Sequence, residues 1–487
     1  MKLRNILLGA LMTFVTAPAL AQSNDSDQLM KQVSELLKKG TPEAQDQIKD
    51  IAKENKKDID GLVSIGRAYL SVKDYANAKL YAQKAVDLLK GKQGNAKPYL
   101  LLGNIAVGED NGGEAAMNFQ QAMYADPKNP DGYRRYAQIM SKTAPQDAVG
   151  ALETLKRECP GYPVDLIAAE IYSSAGNMKK AIEYYNKVSL NDMKDYQISD
   201  YATNVFLSQD YQKSLSLAQQ GHAKFPRNAS FNRLILFNNT ELKNYDAALN
   251  GANDLFNNSD SLKASSFDYG YYARALKGAD KYAEAIEQYK KLQTLDNVDA
   301  PTKAQANKDI SDCYKKLSDY AKAGEYLDKY VKAQSQQSFS LQEAVASLYA
   351  DQLADEKTSA EDKKIAYEKA DKIYAELAEK YPTNAAYVAN KRATLPFSLI
   401  FYKDDEAKNQ KEQVKLAGPH YATFTDILGA KADRSAGENK MLAAAYATLL
   451  YYYVNCIDNM EMGKEVAAKL LELDPENEGA KAVMGMK

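Results

Sequence analysis

The sequence predicts an all-α protein built as an α-solenoid, a stack of antiparallel helix pairs without a significant β-strand. Helix-length segments carry apolar residues at i, i+3, i+4 and i+7, the period of an amphipathic helix. Short turns separate these segments. The small residue that follows every second turn returns at intervals of 33 to 38 residues. These anchors are Ala78, Ala115, Ala148, Ala181, Ser214, Ala248, Ala285 and Ala323.

Composition supports a folded protein and excludes several functions. The 487 residues include 63 Lys and Arg against 65 Asp and Glu, which gives a net charge of −2. With 45% hydrophobic and 26% charged residues the chain can bury a sizeable core, so wholesale disorder is excluded. The near-neutral balance excludes a strongly basic nucleic-acid binder. Cys159, Cys313 and Cys456 are far apart and odd in number, which favours buried thiols over a disulfide framework.

The first 21 residues have the pattern of a secretory signal peptide. Lys2 and Arg4 precede a short apolar run, Ile6–Val15, and Ala17–Ala21 then offers an A-x-A cleavage site. We expect cleavage after Ala21 and a mature protein that is periplasmic or secreted. No later stretch approaches the roughly 20 apolar residues of a membrane helix, so no integral membrane segment is expected.

The repeated unit has a recognisable pattern. Its clearest copy reads Tyr99-x-x-Leu102-Gly103-x-x-Ala106, then Ala115-x-x-x-Phe119-x-x-Ala122, then Pro127. This pattern resembles the tetratricopeptide repeat, whose period is about 34 residues, and the chain resembles exported bacterial proteins with such repeats. The resemblance implies a right-handed solenoid of about ten to eleven antiparallel helix pairs.

Small and large residues have distinct expected roles in each pair. Gly103 is expected where two helices approach closely, and Phe119 is expected to fill the space between neighbouring repeats. Pro127, Pro160 and Pro226 are expected to end second helices, because proline cannot continue a helix. Most of the 35 tyrosines are interpreted as packing residues of the repeats.

Three regions follow the signal peptide. Residues 22–57 are predicted to form a capping helix pair, with Ser26 and Thr41 as N-caps. Residues 58–334 are predicted to form eight repeats. Residues 335–487 are predicted to form degenerate repeats with longer helices and insertions, including a charged insertion at Ala354–Lys364. Gly418-Pro419 is expected to separate two helices, with His420 opening the second.

The sequence contains no recognisable catalytic motif. It lacks a G-x-S-x-G elbow, a phosphate-binding G-x-x-x-x-G-K loop and an H-E-x-x-H zinc motif. Its two histidines, His222 and His420, are nearly two hundred residues apart. We therefore predict no catalytic residue, no cofactor and no metal site, and a protein that is not an enzyme.

The resemblance implies that the first helix of each pair lines a concave groove that binds a protein or peptide. The positions expected to face this groove are Asp60, Arg67, Asn104, Arg134, Gln138, Lys142, Glu170, Thr203, Arg233, Phe237, Arg274, Lys277, Lys308 and Asp312. The predicted partner contacts among them are Arg67, Asn104, Arg134, Gln138, Glu170, Arg233, Phe237 and Arg274.

The arginines favour an acidic partner. The chain has only ten, and four of them, Arg67, Arg134, Arg233 and Arg274, fall on predicted groove positions. Because a guanidinium offers a bidentate fork to carboxylates, such a groove could grip an acidic or C-terminal peptide. The alternative is that each arginine pairs with a neighbouring Asp or Glu as an ordinary helix residue, which contributes little at a surface.

The favoured hypothesis is a non-enzymatic scaffold of the bacterial cell envelope that binds a protein or peptide in its concave groove, and association with an envelope complex is part of that hypothesis. Two alternatives stay open: a glycan-binding repeat protein, and an enzyme with a site in the irregular segment Asp404–Gly437. An exposed aromatic cluster would favour the first, and a pocket joining His420 to carboxylates the second. Separately, Asp260-Ser261-Leu262 resembles a short O-glycosylation site of some exported bacterial proteins.

Overall fold

The computed structural model describes residues 24–486, and the predicted signal peptide lies outside this range. The described residues form 25 α-helices with five short 3-10 or π segments and no β-strand, which confirms the all-α prediction. Contacts divide the chain into two units, one ending at Leu262 and the other beginning at Lys263. The predicted boundary between residues 334 and 335 stays a prediction.

Within residues 24–262, the first unit contains seven helix pairs. Each helix packs on the one that follows it, and the short turn within each pair makes the two helices antiparallel. The pairs are α1 (Asn24–Lys39) with α2 (Pro42–Glu54), α3 (Ile59–Ser71) with α4 (Tyr75–Leu89), α5 (Lys97–Gly108) with α6 (Gly112–Ala125), α7 (Pro130–Met140) with α8 (Pro145–Glu158), α9 (Val164–Ser174) with α10 (Met178–Tyr185), α11 (Asp195–Leu207) with α12 (Tyr211–Lys224), and α13 (Ala229–Glu241) with α14 (Tyr245–Asn253).

The second unit contains five more pairs and a final short helix. Its pairs are α15 (Ser266–Gly278) with α16 (Tyr282–Thr294), α17 (Ala300–Lys316) with α18 (Tyr320–Lys332), α19 (Phe339–Ala354) with α20 (Ala360–Lys380), α21 (Ala385–Thr394) with α22 (Glu406–Gly429), and α23 (Ala436–Tyr451) with α24 (Met460–Leu473), followed by α25 (Glu478–Met484). Together with the first unit this makes eleven pairs after the N-terminal one, in agreement with the predicted number.

Close helix contacts rest on small residues, as the sequence predicts. A Cβ added to Gly103 would lie 2.3 Å from the Phe119 ring, so only glycine lets α5 approach the Phe119 ring of α6. Ala78 and Ala115 are fully buried at the start of their second helices. Phe119 is itself 1% exposed, which confirms its predicted place in the packing.

Most helix ends agree with their sequence signals. Helices α6, α8 and α12 end two residues before Pro127, Pro160 and Pro226. Thr41 caps α2, because its hydroxyl accepts a hydrogen bond of 3.2 Å from the Ala44 amide. The prediction that Ser26 is an N-cap is wrong, because α1 begins at Asn24 and Ser26 lies inside it.

The second unit corrects two predictions. The charged insertion at Ala354–Lys364 is mostly helical, because Ser359 caps α20 and only residues 355–359 lie between the helices. Helix α22 also continues through Gly418 and Pro419, so His420 lies inside a helix. Pro419 is tolerated because it and Lys415 are exposed, so water can hydrate the carbonyl that loses its amide partner.

Gly418 gives a further reason for the continuity of α22. A Cβ at this position would lie 2.4 Å from the ring of Tyr452, which belongs to the π segment Tyr452–Cys456. The glycine therefore serves close packing in the middle of a long helix and does not mark its end. Nearby, the thiol of Cys456 is half-buried and free, as is that of Cys159, whereas Cys313 is fully buried.

Candidate partner-binding face

The first helices of successive pairs lie side by side in the first unit. Helix α3 contacts both α1 and α5, and α11 contacts both α9 and α13. Polar side chains on the first helices α3, α5, α7 and α9 form the set that we call the first-helix face. It consists of Asp60, Arg67, Lys97, Asn104, Arg134, Arg135, Gln138 and Glu170.

Two ion pairs join consecutive first helices at the start of this face. The Arg67 guanidinium on α3 lies 3.3 Å from the Asp27 carboxylate on α1. The Lys97 ammonium on α5 donates to the Asp60 carboxylate on α3 at 2.7 Å. All four side chains are about one-third to one-half exposed, so each keeps surface for a further ligand. Arg67 thus pairs with a neighbouring carboxylate, as the alternative interpretation of the sequence expects. Its side chain nevertheless stays partly exposed at the surface.

Helix α7 contributes the next group. Its Arg134 guanidinium lies 3.2 Å from Asp131 on the same helix, and Gln138 is exposed. The neighbouring Arg135, which the sequence analysis did not select, donates to the Asn104 amide oxygen on α5 at 2.8 Å. Arg135 therefore bridges the two first helices.

Three of the arginines, Arg67, Arg134 and Arg135, lie close enough for Arg67 and Arg134 to repel the charge of Arg135. The Arg135 side chain is exposed overall, but its guanidinium is enclosed enough that burial lowers its pKa. Attraction from Asp131 opposes this shift, whereas repulsion from Arg134 and Arg67 adds to it. A partner carboxylate that approached this cluster would relieve the mutual repulsion of the three cations.

The face becomes acidic at α9 and α11, neither of which contains a lysine or an arginine. Glu170 is half-buried and accepts a hydrogen bond of 2.7 Å from the Gln197 amide. Burial raises the pKa of Glu170, hydrogen bonds from Gln197 and Tyr196 oppose the shift, and repulsion from Asp200 adds to it. This end of the face suits a neutral or cationic group.

Three predicted groove residues further along are buried. Thr203 and Phe237 are 0% exposed, and Arg233 is 7% exposed. The Phe237 ring packs 6.0 Å, centroid to centroid, from that of Phe206. The prediction that Phe237 presents its ring to a partner is therefore wrong, because the ring has no exposed surface.

The remaining predicted residues lie in the second unit, apart from the exposed Lys142 on the turn after α7. Arg274 is exposed and its guanidinium lies 4.8 Å from the centre of the Tyr271 ring. Lys277 on α15 reaches Asp309 and Asp312 on α17 at 2.9 and 3.3 Å. Lys308 also contacts Asp312, so this region is a network of ion pairs.

The second unit carries an exposed aromatic loop before α22. Phe397, Phe401 and Tyr402 are each about 40% exposed. Asn409 and Gln413 of α22 bind the loop backbone through their side chains, at 2.6 Å to the Phe401 amide and 2.7 Å to the Leu399 carbonyl. These hydrogen bonds fix the loop backbone, and the three aromatic side chains remain partly exposed.

His420 joins a partly buried ionic contact in the same unit. The Arg392 guanidinium binds the Asp371 carboxylate through two bonds of 2.6 and 2.9 Å, and His420 Nε2 lies 3.5 Å from the same carboxylate. Burial lowers the pKa of His420, Arg392 lowers it further, and Asp371 opposes them. His420 thus meets one carboxylate, already engaged by Arg392, and the contact ties α20, α21 and α22 together.

Residues 24–486 contain neither a cluster of metal ligands nor a membrane-spanning helix. No three His, Cys, Asp or Glu side chains in this range converge closely enough to hold a metal ion. None of its helices combines the length and the apolar character needed to cross a bilayer.

The stacked helix pairs define the class of the molecule as a helical-repeat protein. Residues 59–88 and 166–190, which span the pairs α3–α4 and α9–α10, match the model of the tetratricopeptide repeat. These two parts of the chain are thus tetratricopeptide repeats. No curated protein matches it.

Several solved structures are similar to the chain. The C-terminal part of a tetratricopeptide repeat protein from Cytophaga hutchinsonii aligns at 20% identity over 59% of this chain and 99% of its own, with a TM-score of 0.40. A tetratricopeptide repeat protein from Parabacteroides merdae aligns at 15% identity over 50% and 96%, with a TM-score of 0.33. A structure of Naa15/Naa10 bound to HypK aligns at 12% identity over 94% and 90%, also with a TM-score of 0.33.

Proposed function

We propose that this protein is a non-enzymatic scaffold of the bacterial cell envelope that binds an acidic segment of a protein partner on its first-helix face. The observation that carries the proposal is the cluster of Arg67, Arg134 and Arg135, which come from two different helix pairs and repel one another. Tetratricopeptide repeats are typical protein-binding folds, and this cluster supplies a chemical preference.

Preorganisation is the proposed mechanism. Arg67 is held by Asp27, and Arg135 is held by Asn104, so the guanidiniums are positioned before a partner arrives. Binding then orders few additional side chains, and the entropic cost of association falls. Each guanidinium can offer a carboxylate two parallel hydrogen bonds, which a lysine cannot do.

The charge of the face changes from positive to negative along its length, and this change favours one orientation of the bound partner. Acidic residues of the partner would contact α3 to α7, and a neutral or basic segment would follow over Glu170 on α9. The same sign change disfavours the reversed orientation, because it would place carboxylates beside Glu170 and cations beside the arginines.

A peptide titration tests the acidic preference. Fluorescence anisotropy with a short labelled peptide rich in Asp and Glu should show binding to the mature protein that weakens with added salt. The double change Arg67→Glu with Arg135→Glu should weaken binding at least about tenfold. The matched control is Arg157→Glu, which reverses an exposed arginine on the second helix α8 and should leave binding unchanged.

Two outcomes would contradict the proposal. Equal affinity of the double variant and the wild type would show that the peptide binds elsewhere. Equal loss in the Arg157→Glu control would show that only the overall charge matters. Circular dichroism of all three proteins separates these outcomes from unfolding.

Localisation in the envelope is the second part of the proposal. It rests on the pattern of residues 1–21, with Lys2, Arg4 and the A-x-A site before Gln22. Cell fractionation of the full-length chain should recover a shortened protein outside the cytoplasm, and deletion of residues 2–21 should retain it inside. Recovery of the full-length chain in the cytoplasm would contradict this assignment.

A further inference from the structure

A cleft of about 500 Å³ lies in the first unit, away from the first-helix face. It opens between the turn that follows α12 and the segment that follows the π helix Asp254–Asn258. The side chains that determine its chemistry are Asp195, Phe225, Arg227, Asn228 and Asp260. Its volume is in the range of small-molecule sites, roughly 300 to 1,000 Å³.

A fully buried asparagine fixes the two walls of this cleft relative to each other. Asn232 is 0% exposed, and its amide nitrogen lies 3.1 Å from the Pro226 carbonyl and 3.0 Å from the Ser259 hydroxyl. Its amide oxygen lies 2.7 Å from Nδ1 of His222. One side chain thus ties the end of α12, the turn after it and the exit of the π helix together.

The π helix places Asp260 beside Arg227. Its wider turn is the kind of irregularity that recurs at functional sites. After it, the Asp260 amide donates to the Arg227 carbonyl at 2.9 Å, and the Arg227 guanidinium lies 2.6 Å from the Asp260 carboxylate. Both charged side chains are more than half exposed, so they keep free hydrogen-bonding positions at the rim.

Phe225 forms a rigid aromatic platform in the cleft. Its ring is 39% exposed and stacks at 6.2 Å, with an interplanar angle of 17°, on the buried ring of Phe231. Phe231 in turn fills the space over Gly221, where a Cβ would lie 2.2 Å from its ring. The exposed face of Phe225 is therefore held in place from behind.

We propose that this cleft binds a neutral carbohydrate. Sugar C–H groups would pack on the Phe225 ring, whose negatively charged face attracts them. Hydroxyl groups act as both donors and acceptors, so they match carboxylates that accept, Asp195 and Asp260, together with Arg227, which donates. One cation, Arg227, against two carboxylates, Asp195 and Asp260, leaves a net negative charge, which disfavours an anionic ligand.

This site is independent of the proposed protein-binding face. The amide of Asn228 already donates to the Asp195 carboxylate at 3.1 Å, so that carboxylate is positioned before the ligand arrives. None of the cleft residues belongs to the first-helix face, and none of the arginines of that face lines the cleft. The two activities can therefore be removed separately by mutation.

Calorimetric titration of the full mature protein with maltotriose, cellotriose and chitotriose tests the proposal. At least one of the three should bind, and Phe225→Leu should weaken that sugar at least tenfold, because leucine keeps apolar volume but offers no ring face. Asp195→Asn should weaken the same sugar by several fold. The matched control, Tyr124→Leu, removes an exposed aromatic ring of the first unit that does not line the cleft and should leave the affinity unchanged.

The outcomes distinguish this proposal from the protein-binding one. Absence of binding to all three sugars, or an affinity that survives both cleft variants, overturns the carbohydrate site. Acidic-peptide binding should be unchanged in Phe225→Leu, and sugar binding should be unchanged after Arg67→Glu with Arg135→Glu. Thermal unfolding of each variant verifies that the fold is intact.

Discussion

The first helices α3, α5 and α7 occupy the same place in their repeats as the first helices α11 and α13. The two sets differ in whether the side chains predicted to face the groove are exposed or buried. On α3 to α7 these positions carry partly exposed charged and amide groups such as Arg67 and Asn104. On α11 to α13 they carry Thr203, Arg233 and Phe237, all buried. A position within a repeat therefore does not by itself define a binding surface.

The buried region is polar in composition, but its polar groups are mostly used internally. Asn204 donates to the Ser173 hydroxyl at 2.8 Å, and Asn238 donates to the Ser214 hydroxyl at 2.9 Å. Buried amides are tolerated when they find such partners. These residues resemble surface residues in the sequence, whereas in the structure they connect helices inside the core.

The largest expected effect is on the buried side of this comparison. Phe237→Ala should lower the free energy of unfolding by about 3–5 kcal/mol, because it removes a fully buried ring and leaves a cavity. Phe401→Ala, in the exposed aromatic loop, should change it by less than about 1 kcal/mol. Chemical denaturation of both variants measures the difference. Similar small effects in both would mean that Phe237 is not part of the core.

Helix boundaries and the repeat could be predicted from the sequence because they depend on local signals. Glycine and alanine at fixed intervals, such as Gly103 and Ala115, mark helix contacts that depend on residue size alone. The failure at Pro419 has a tertiary cause, since the exposed position of that proline and the packing of Tyr452 on Gly418 cannot be seen in the sequence.

The candidate face was only partly predictable, for a related reason. Arg135 was missed because a helix turns by about 100° per residue, so the sequence alone does not show which of two neighbouring side chains faces an adjacent helix. Phe237 was selected because it lies one helical turn after Arg233 on a first helix. The burial of Thr203, Arg233 and Phe237 depends on contacts between residues that are far apart in the sequence.

A second prediction concerns the side-chain hydroxyl of Thr203. This hydroxyl is fully buried and makes no hydrogen bond, a situation that costs about 1–3 kcal/mol. Thr203→Val keeps the branched shape and removes the hydroxyl, so it should raise the free energy of unfolding by about 1 kcal/mol. Urea denaturation at neutral pH measures the change, and Ser311→Ala is the control, because its buried hydroxyl donates to the Ala323 carbonyl at 2.7 Å. Destabilisation by Thr203→Val would show that the hydroxyl has a partner.

A third prediction concerns Glu170 on α9, the first helix between the exposed region and the buried region. Because burial raises the pKa of Glu170 above 4.5, the folded state favours its protonated form. The stability from this group is therefore present at acidic pH and is lost as the pH rises through the raised folded value. Glu170→Gln should raise the free energy of unfolding at neutral pH by on the order of 1 kcal/mol or less, and the gain should vanish below about pH 4. A gain independent of pH would exclude ionisation as its cause.

The smallest expected effect belongs to the exposed side. Arg67→Ala should lower the free energy of unfolding by less than about 0.5 kcal/mol, because its ion pair with Asp27 is partly exposed and 3.3 Å long. The same change should nevertheless weaken binding of the acidic peptide several fold, since the guanidinium is positioned for a partner. Parallel measurements of unfolding and of peptide anisotropy separate the two effects. A large loss of stability with unchanged peptide binding would place Arg67 with the buried residues of α11 to α13, and the distinction between the two regions would no longer hold.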